Sequence, residues 1–367
     1  MEILFEDEEI QVVRQAGASS FTLVTFASLA SRPEPGFFWG HEPATHLDLD
    51  CIGFISKRDN WYPTASVERS ADIVRRTAKP VSIGYGYSMG GYAALKHGRR
   101  LGLARVLAVA PQISIDPADV PDDLRYHRFF QADIHRGMRV RAEELAPWTA
   151  VLADPRDPED RQHTDYLARI GSVQLLPAAF MGHAAIWLLT GTSVLSRALQ
   201  CVLDADTAGL WNLLRKQRLN SAVWCYRAGA AALRHGHEVL AERLCERARK
   251  LRAPPALMQE AQAQALFTRS TRLSAAGRRS EATAAVKRAV AIQPHDARML
   301  MHAGHLVLSE GNSEEAERLF RDALALDGEL GHAHFGLSVA LARQGRHRQG
   351  ISHAERAVSL LPRNAEV

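Results

Sequence analysis

A 34-residue register is the feature that most constrains how the second half of the chain can fold. When residues 262–363 are compared with themselves at an offset of 34, four columns coincide. The columns are Gly277, Gly311 and Gly345; Ala282, Ala316 and Gly350; Ala289, Ala323 and Ala357; and Pro294, Gly328 and Pro362. Glycine suits a turn between helices, small residues allow helices to cross closely, and proline or glycine ends a helix. The register therefore predicts a solenoid of helix–turn–helix repeats.

This period, with its small-residue pattern, resembles the tetratricopeptide repeat. First-helix positions that are often Trp, Leu and Tyr in that family are Leu300, Ala303 and Val307 here. An earlier helix pair with Gly236 fits the same template but lies 41 residues upstream, and we place the extra seven residues around 253–255. The resemblance implies an all-α repeat domain that contacts a protein partner or closes a homodimer.

The first half of the chain has a different pattern, in which short apolar runs alternate with amphipathic stretches. The runs are residues 21–26, 51–56, 81–86, 104–110, 148–153 and 173–176. The amphipathic stretches between them include 67–77, 91–101 and 158–170. Apolar runs of this length are typical of strands that helices bury on both faces. We predict an α/β fold with a mostly parallel sheet.

Length and charge divide the chain into two modules. A chain of 367 residues is long enough for about two domains. Residues 1–206 carry a formal charge of −5, whereas residues 207–367 carry +9. We predict an α/β domain over 1–205 and a helical repeat domain over 206–367. Arginines of the second part alternate with acids, which favours a solvated face, and we expect no nucleic-acid partner.

The most informative short motif is Gly86-Tyr87-Ser88-Met89-Gly90. It has the form G-x-S-x-G, in which a serine lies on a sharp turn from a strand to a helix. A buried strand is predicted before it and an alanine-rich helix after it, as the motif requires. We therefore predict that Ser88 is a nucleophile.

With this motif, residues 20–204 resemble an α/β-hydrolase. The resemblance implies a catalytic triad in the chain order Ser, then Asp or Glu, then His. Asp154 follows the predicted strand 148–153, where the family places its acid, and we expect it to be the triad acid. Asp157 and Asp160 compete, because they follow closely along the same loop.

The family position of the general base is the loop after the last strand, and His183 occupies it. The nearest competitor is His163, which falls within a predicted surface helix. The resemblance also implies an oxyanion hole formed by backbone N–H groups. The N–H of Met89 supplies one donor, and we expect the second from residues 27–31, with Ser28 as our choice.

Loops at the carboxyl ends of parallel strands face the ligand. Arg58 and Trp61 follow the predicted strand 51–56, and we assign both to substrate binding, together with Tyr87 beside the nucleophile. Residues 112–147 form an insertion that includes Tyr126, and this insertion is a candidate lid.

The predicted activity is cleavage of an ester or thioester through an acyl-serine intermediate. The chain resembles bacterial hydrolases associated with surface-polysaccharide assembly in three short sequences, the Ser-Met-Gly-Gly-Tyr elbow, Trp61-Tyr62 and Asp154-Pro155. This resemblance implies that the substrate is the acyl ester of a glycan or of a small molecule. Two alternatives stay open. One is an acyltransferase that uses the same triad, and the other is a non-catalytic scaffold that acts through the repeats.

The remaining features concern cofactors and location. No phosphate-binding glycine loop or His-Glu-x-x-His pattern is present, and the four cysteines occur singly, so we expect neither a cofactor nor a metal. No run approaches about 18 apolar residues, so we expect no membrane span. Residues 1–9 are acidic where a secretory signal is basic, and we expect a cytoplasmic protein.

Overall fold

The first half of the chain alternates strands and helices. The computed structural model describes residues 1–29, 31–171 and 173–361. In this part of the chain the strands are β1 (Glu2–Glu6), β2 (Ile10–Gln15), β3 (Thr22–Phe26), β4 (Asp50–Ser56), β5 (Ser82–Tyr87), β6 (Arg105–Val109), β7 (Trp148–Ala153) and β8 (Val173–Pro177). The helices of this half are α1 (His41–His46), α2 (Thr64–Thr77), α3 (Met89–His97), α4 (Ala132–His135), α5 (Pro158–Ile170), α6 (Thr192–Leu203) and α7 (Thr207–Gln217), with a 3-10 segment over Gly182–Leu189.

These strands form one sheet in the order β1-β2-β4-β3-β5-β6-β7-β8. β2 pairs antiparallel with β1 and β4, and the other neighbouring pairs are parallel. The prediction of a mostly parallel sheet is therefore confirmed. The sequence pattern missed β1 and β2, because their apolar runs are short, residues 3–5 and 12–13, and β1 is exposed or half-buried along its whole length.

The centre of the sheet supplies the rigid frame for the site. All residues of β3 and β4 are buried, and so are all nine residues of α3, which packs on the sheet. The core around them includes Val24, Phe26, Ile52 and Phe54. Strands buried on both faces account for the continuous apolar runs in the sequence.

The chain divides into two compact units after Val223, later than the boundary that we predicted at residue 205. We based the boundary on the last predicted strand, residues 173–176, but two helices that follow it still pack on the first unit. α6 packs against β5 and β6, and α7 packs against α6 and the segment Gly182–Leu189. These helices therefore belong to the first unit.

The second unit, from Trp224 onward, is built from helix pairs. Its helices are α8 (Ala222–Arg234), which begins just before the division, α9 (Glu238–Lys250), α10 (Pro255–Ala275), α11 (Arg279–Ile292), α12 (Ala297–Ser309), α13 (Ser313–Leu326), α14 (Gly331–Arg343) and α15 (His347–Leu360). The predicted helical repeats are confirmed.

The columns of the 34-residue register have the structural roles that their residue types predict. Gly277, Gly311 and Gly345 lie in the turns within the pairs, with φ of 76°, 92° and 77°. This left-handed conformation strains residues that carry a β-carbon. Ala289, with its equivalents in the next two repeats, is buried between helices. Pro362 lies outside the described residues.

The extra seven residues before the regular register lengthen a helix. We expected them around 253–255, but the connection 251–254 has the same length as 293–296 and 327–330. Instead, α10 has 21 residues where α12 and α14 have 13. The insertion therefore adds about two helical turns to the start of α10.

Among the described residues, no single helix has both the length and the apolar composition needed to cross a membrane. Gly182–Leu189 and Thr192–Leu203 meet these criteria only when taken together, and they are bent by 97°.

Candidate active site

Ser88 occupies a strained turn between β5 and α3. Its φ is 54° and its ψ is −120°, and its N–H donates to Val109 O at 2.9 Å. A β-carbon on Gly86 would lie 2.1 Å from Gly90 O, and one on Gly90 would lie 2.2 Å from Phe26 O. Only glycine fits at these two positions. The motif therefore forms the sharp turn that its sequence predicts.

His183 lies beside this serine. Its Nε2 is 3.0 Å from Ser88 Oγ, so the hydroxyl can donate a hydrogen bond to the imidazole. His183 belongs to the segment Gly182–Leu189, which follows β8 after a short turn. Phe180 and Gly182 in this turn have φ of 70° and 56°. The structure thus brings together the two residues that we predicted as nucleophile and base.

The carboxylate that contacts His183 belongs to Asp160. His183 Nδ1 lies 3.0 Å from Asp160 Oδ1 and 3.1 Å from Oδ2, and its N–H donates to this carboxylate. Asp160 is in the first turn of α5 and is buried. Asp160 therefore replaces Asp154, our first choice from the sequence, as the acid of the Ser–His–Asp chain.

Asp154 acts on the same loop through the backbone. Its Oδ2 accepts the N–H of Gly182 at 2.8 Å, and its Oδ1 accepts the N–H of Arg156 at 2.9 Å. Because its oxygens face these backbone groups, Asp154 connects the end of β7 to the turn before His183. Asp157, the other competitor, caps α5 by accepting the N–H groups of Glu159 and Asp160.

The helical period of α5 is the signal that could have identified Asp160. The buried residues of this helix are Asp160, His163, Thr164 and Leu167, which follow the three- and four-residue spacing of one face. We had predicted a surface helix for His163, but its side chain lies on the buried face of α5. Its Nδ1 accepts the N–H of Ile113 at 3.2 Å, and its Nε2–H donates to Asp123 Oδ2 at 3.0 Å.

Arg125 pairs with both Asp160 and Asp123. Its Nη2 lies 2.8 Å from Asp160 Oδ1 and 2.8 Å from Asp123 Oδ2. Burial alone would raise the pKa of Asp160, but the hydrogen bonds and positive charges of His183 and Arg125 outweigh burial and lower it. Burial likewise opposes ionisation of Asp123, whose pKa its bonds to Arg125 and His163 nevertheless lower. Arg125 comes from the insertion 112–147, so this insertion supports the site electrostatically.

Gln112 is a site residue that the sequence did not suggest. Its Nε2 lies 3.3 Å from Ser88 Oγ, and its Oε1 lies 3.3 Å from Trp61 Nε1. An indole N–H can only donate, so the amide oxygen faces Trp61 and the amide NH₂ faces Ser88. Both side chains are buried. Trp61, which we predicted to bind substrate at the rim, instead orients Gln112 from within.

The backbone at Trp61 and Tyr62 is strained. Both residues have a left-handed conformation, with φ of 49° and 52°. Asn60 stabilises this turn, because its Oδ1 accepts the N–H of Tyr62 at 3.0 Å and its Nδ2 donates to Glu9 O at 2.9 Å. Strained residues of this kind cluster at functional sites, where the surrounding structure holds them in place.

The predicted oxyanion donors lie on elements that meet at the elbow. Met89 is the first residue of α3, so its N–H has no acceptor within the helix. The close contact of Gly90 with Phe26 O places this helix end against the end of β3. Tyr62 donates its hydroxyl to Ala27 O at 2.7 Å and fixes the segment that leads to Ser28. The roles of Met89 and Ser28 stay predictions.

Two tyrosines approach the imidazole. The hydroxyl of Tyr126 lies 3.2 Å from His183 Nε2, and the rings of Tyr87 and His183 are 5.4 Å apart. Burial raises the pKa of Tyr126, and it raises that of Tyr87 to about 12, so both hydroxyls stay protonated near neutral pH. Tyr126 belongs to the predicted lid.

Arg58, which we predicted to bind substrate, pairs with Glu9. Its Nε donates to Glu9 Oε2 at 2.8 Å, and Nη2 also contacts this carboxylate. Among the described residues, Arg58 forms no hydrogen bond with Ser88 or His183. The structure gives no support to a substrate contact by Arg58.

In comparisons with known proteins, no family model matches the chain and no curated protein matches it by sequence. Parts of the chain are similar to solved structures of helical proteins. The second TPR of Spaghetti (RPAP3) bound to the HSP90 peptide SRMEEVD is 22% identical, with a TM-score of 0.27, over 28% of this chain and 97% of that one. MamA 41-end from Desulfovibrio magneticus RS-1 is 18% identical, with a TM-score of 0.29, over 44% of this chain and 90% of that one. A crystal structure of MamA protein is 13% identical, with a TM-score of 0.28, over 45% of this chain and 88% of that one.

Proposed function

We propose that the first unit is a serine hydrolase of α/β-hydrolase type that cleaves an ester or thioester. The observation that carries this proposal is the hydrogen-bonded chain from Ser88 Oγ to His183 Nε2 at 3.0 Å and from His183 Nδ1 to Asp160 Oδ1 at 3.0 Å. The strained elbow and the order Ser, Asp, His along the chain support the same assignment.

The reaction proceeds in two stages. His183 Nε2 accepts the hydroxyl proton as Ser88 Oγ bonds to the carbonyl carbon, and the imidazolium then donates this proton to the leaving group. Asp160 holds the imidazole in the required tautomer and stabilises its cation. In the second stage His183 takes a proton from water as the water oxygen attacks the acyl-serine, and it returns this proton to Ser88 Oγ as the bond to the acyl carbon breaks and the acid is released.

Negative charge develops on the carbonyl oxygen in both stages. The N–H of Met89 and a backbone donor from residues 27–31, with Ser28 as our choice, stabilise this charge. Gln112 contributes by donating to Ser88 Oγ, which holds the hydroxyl oxygen in place while its proton faces His183.

Polar groups lie beside the reacting atoms. Gln112 Nε2 lies 3.3 Å from Ser88 Oγ, and the Tyr126 hydroxyl lies 3.2 Å from His183 Nε2. These groups can form hydrogen bonds with a hydroxylated substrate. Together with the resemblance of the elbow to hydrolases associated with surface polysaccharides, they support an acetyl ester of a glycan or of a small alcohol as the proposed substrate.

Hydrolysis of p-nitrophenyl esters of graded chain length tests this proposal. We expect turnover that is fastest for the acetyl ester and absent in Ser88→Ala. Equal rates for wild type and Ser88→Ala would contradict it. Release of free acid distinguishes hydrolysis from transfer, in which added sugar or amine would take the acyl group.

For the second unit we propose a tetratricopeptide-type module that contacts a protein partner. Its left-handed glycine turns and its columns of buried small residues support this assignment. Stacked helix pairs expose extended surfaces suited to such contacts. The alternative is that this unit mediates self-association, which sedimentation velocity of the full chain tests. If the chain is a monomer at all concentrations, self-association is excluded.

A further inference from the structure

A cavity of about 390 Å³ in the second unit is lined by eight residues, of which four are arginines and two, Leu273 and Ala276, are apolar. It lies between the end of α8 and its turn on one side and the second half of α10 with the following turn on the other. The side chains that define it are Arg234, His235, Arg269, Arg272 and Arg278, beside Gly236. We call this the arginine cavity.

The positive charge of the arginine cavity is only partly neutralised. Arg269 Nη1 lies 2.7 Å from Glu238 Oε1, and Arg278 forms a two-point pair with Glu281. In the described part of the chain, no acidic side chain pairs with Arg234, and the guanidinium of Arg272 contacts only His235. Two guanidinium groups therefore lack a counter-charge.

The repeat register shows that two of these arginines are unusual at their positions. Arg269 and Arg272 lie on the first helix of their repeat, and the same columns in the next two repeats hold buried apolar residues. The columns are Arg269, Ala303 and Leu337, and Arg272, Leu306 and Ala340. Helix packing in this solenoid therefore does not require arginine at either position. Arg269 and Arg272 thus supply two of the four guanidinium groups of the cavity at positions that are apolar in the next two repeats.

The turn after α8 presents further donors to the arginine cavity. Arg272 Nη1 donates to His235 Nδ1 at 3.3 Å, so the imidazole keeps its proton on Nε2. Gly236 has a φ of 84°, and a β-carbon there would lie 3.5 Å from Arg269 Nη2. The absence of a side chain at Gly236 leaves one side of this guanidinium open to a ligand.

We propose that the arginine cavity binds a phosphomonoester dianion. Guanidinium groups bind phosphate oxygens in a two-point geometry, and two unneutralised groups match a charge of minus two. The volume exceeds that of a phosphate ion and leaves room for the group that carries it. This carrier is either a phosphorylated side chain of a protein partner or a small phosphorylated metabolite.

Isothermal titration calorimetry on the full chain tests the proposal with three probes. They are a phosphoserine hexapeptide, glucose 6-phosphate and succinate, which is a dicarboxylate of similar charge. We expect both phosphate probes to bind more tightly than succinate, with affinity that falls as salt rises. Tighter binding of the peptide assigns the site to a protein partner, and tighter binding of the sugar phosphate assigns it to a metabolite.

The variant Arg234→Gln/Arg272→Gln removes the two unneutralised charges from exposed positions. We expect it to weaken binding of the tighter phosphate probe at least tenfold, with an unchanged melting temperature. Arg318→Gln is the matched control, because Arg318 is exposed in the same unit and does not line the cavity. Its affinity should equal that of the wild type.

Three results would overturn the proposal. They are no binding of either phosphate probe at millimolar concentration, equal affinity in the double variant and the wild type, and succinate binding as tight as phosphate binding. The arginine cavity shares no residue with the proposed active site. Esterase activity, present or absent, is therefore a separate outcome.

Discussion

Asp160 contacts His183 from the first turn of a helix, with Oδ1 at 3.0 Å from Nδ1. The carboxylate at the end of β7, that of Asp154, accepts the backbone N–H of Gly182 at 2.8 Å instead. Two acids thus serve one histidine in different ways, since one contacts the ring and the other holds the turn before it.

This division of roles predicts unequal effects of two matched variants. Asp160→Asn should lower kcat by about 10³- to 10⁴-fold, because a neutral amide stabilises neither the imidazolium nor the tautomer of neutral His183 that carries its proton on Nδ1. Asp154→Asn should lower kcat by no more than about tenfold, since the amide oxygen still accepts one of the two backbone N–H groups that the carboxylate accepts. Steady-state kinetics with p-nitrophenyl acetate measure both, and a larger loss in Asp154→Asn would contradict the assignment.

Trp61 and Gln112 should act as one unit. Gln112→Leu removes the donor to Ser88, and Trp61→Phe removes the indole N–H that orients the amide while it keeps an aromatic ring. Each should lower kcat/KM by about tenfold, which corresponds to the loss of one neutral hydrogen bond. In a double-mutant cycle the second substitution should add little to the first. Losses that simply multiply would show that Trp61 does not act through Gln112.

Asp123 should make stability depend on pH in the acid range. Its folded pKa lies below the ordinary value of a carboxyl group, owing to Arg125 and His163. Asp123 therefore contributes fully to the free energy of unfolding above the pKa of about 4 that it has in the unfolded chain. This contribution is lost as the pH falls through the lower pKa that it has in the folded protein. When the free energy of unfolding is measured in urea between about pH 3 and pH 6, it should decrease less with falling pH in Asp123→Asn than in the wild type. Parallel curves would exclude the contribution.

Two glycines of the solenoid should respond differently to the same substitution. Gly311 has a φ of 92°, so Gly311→Ala should cost about 1 kcal/mol of unfolding free energy. Gly328 does not have a left-handed φ, and a β-carbon there would approach only Leu324 O at 3.8 Å. Gly328→Ala should be neutral within about 0.5 kcal/mol when chemical denaturation is compared. Equal costs would refute the conformational explanation.

The sequence predicts the parts of this fold that depend on local patterns. β3 to β7 are mostly apolar because nearly all of their residues are buried, whereas the edge strand β8 is largely exposed. Ser88 is marked by glycines that backbone contacts require. The turns of the solenoid are marked in the same way by Gly277, Gly311 and Gly345. Each of these signals comes from a few neighbouring residues.

Features that depend on distant partners were not predictable. The helical period of α5 places Asp160 on the buried face of the helix, but the contact of Asp160 with His183 depends on how α5 packs. Gln112 has no motif, and its amide is oriented by Trp61, which lies 51 residues away along the chain. The pairing of Arg125 with Asp160 likewise depends on the path of the insertion.

The most direct test of the central claim is covalent labelling with a fluorophosphonate probe, followed by mass spectrometry of the modified peptide. Wild type should be labelled at Ser88, His183→Ala should react far more slowly, and Ser88→Ala should not react. Failure of the wild type to react, or equal labelling of Ser88→Ala, would contradict the assignment of Ser88 as an activated nucleophile.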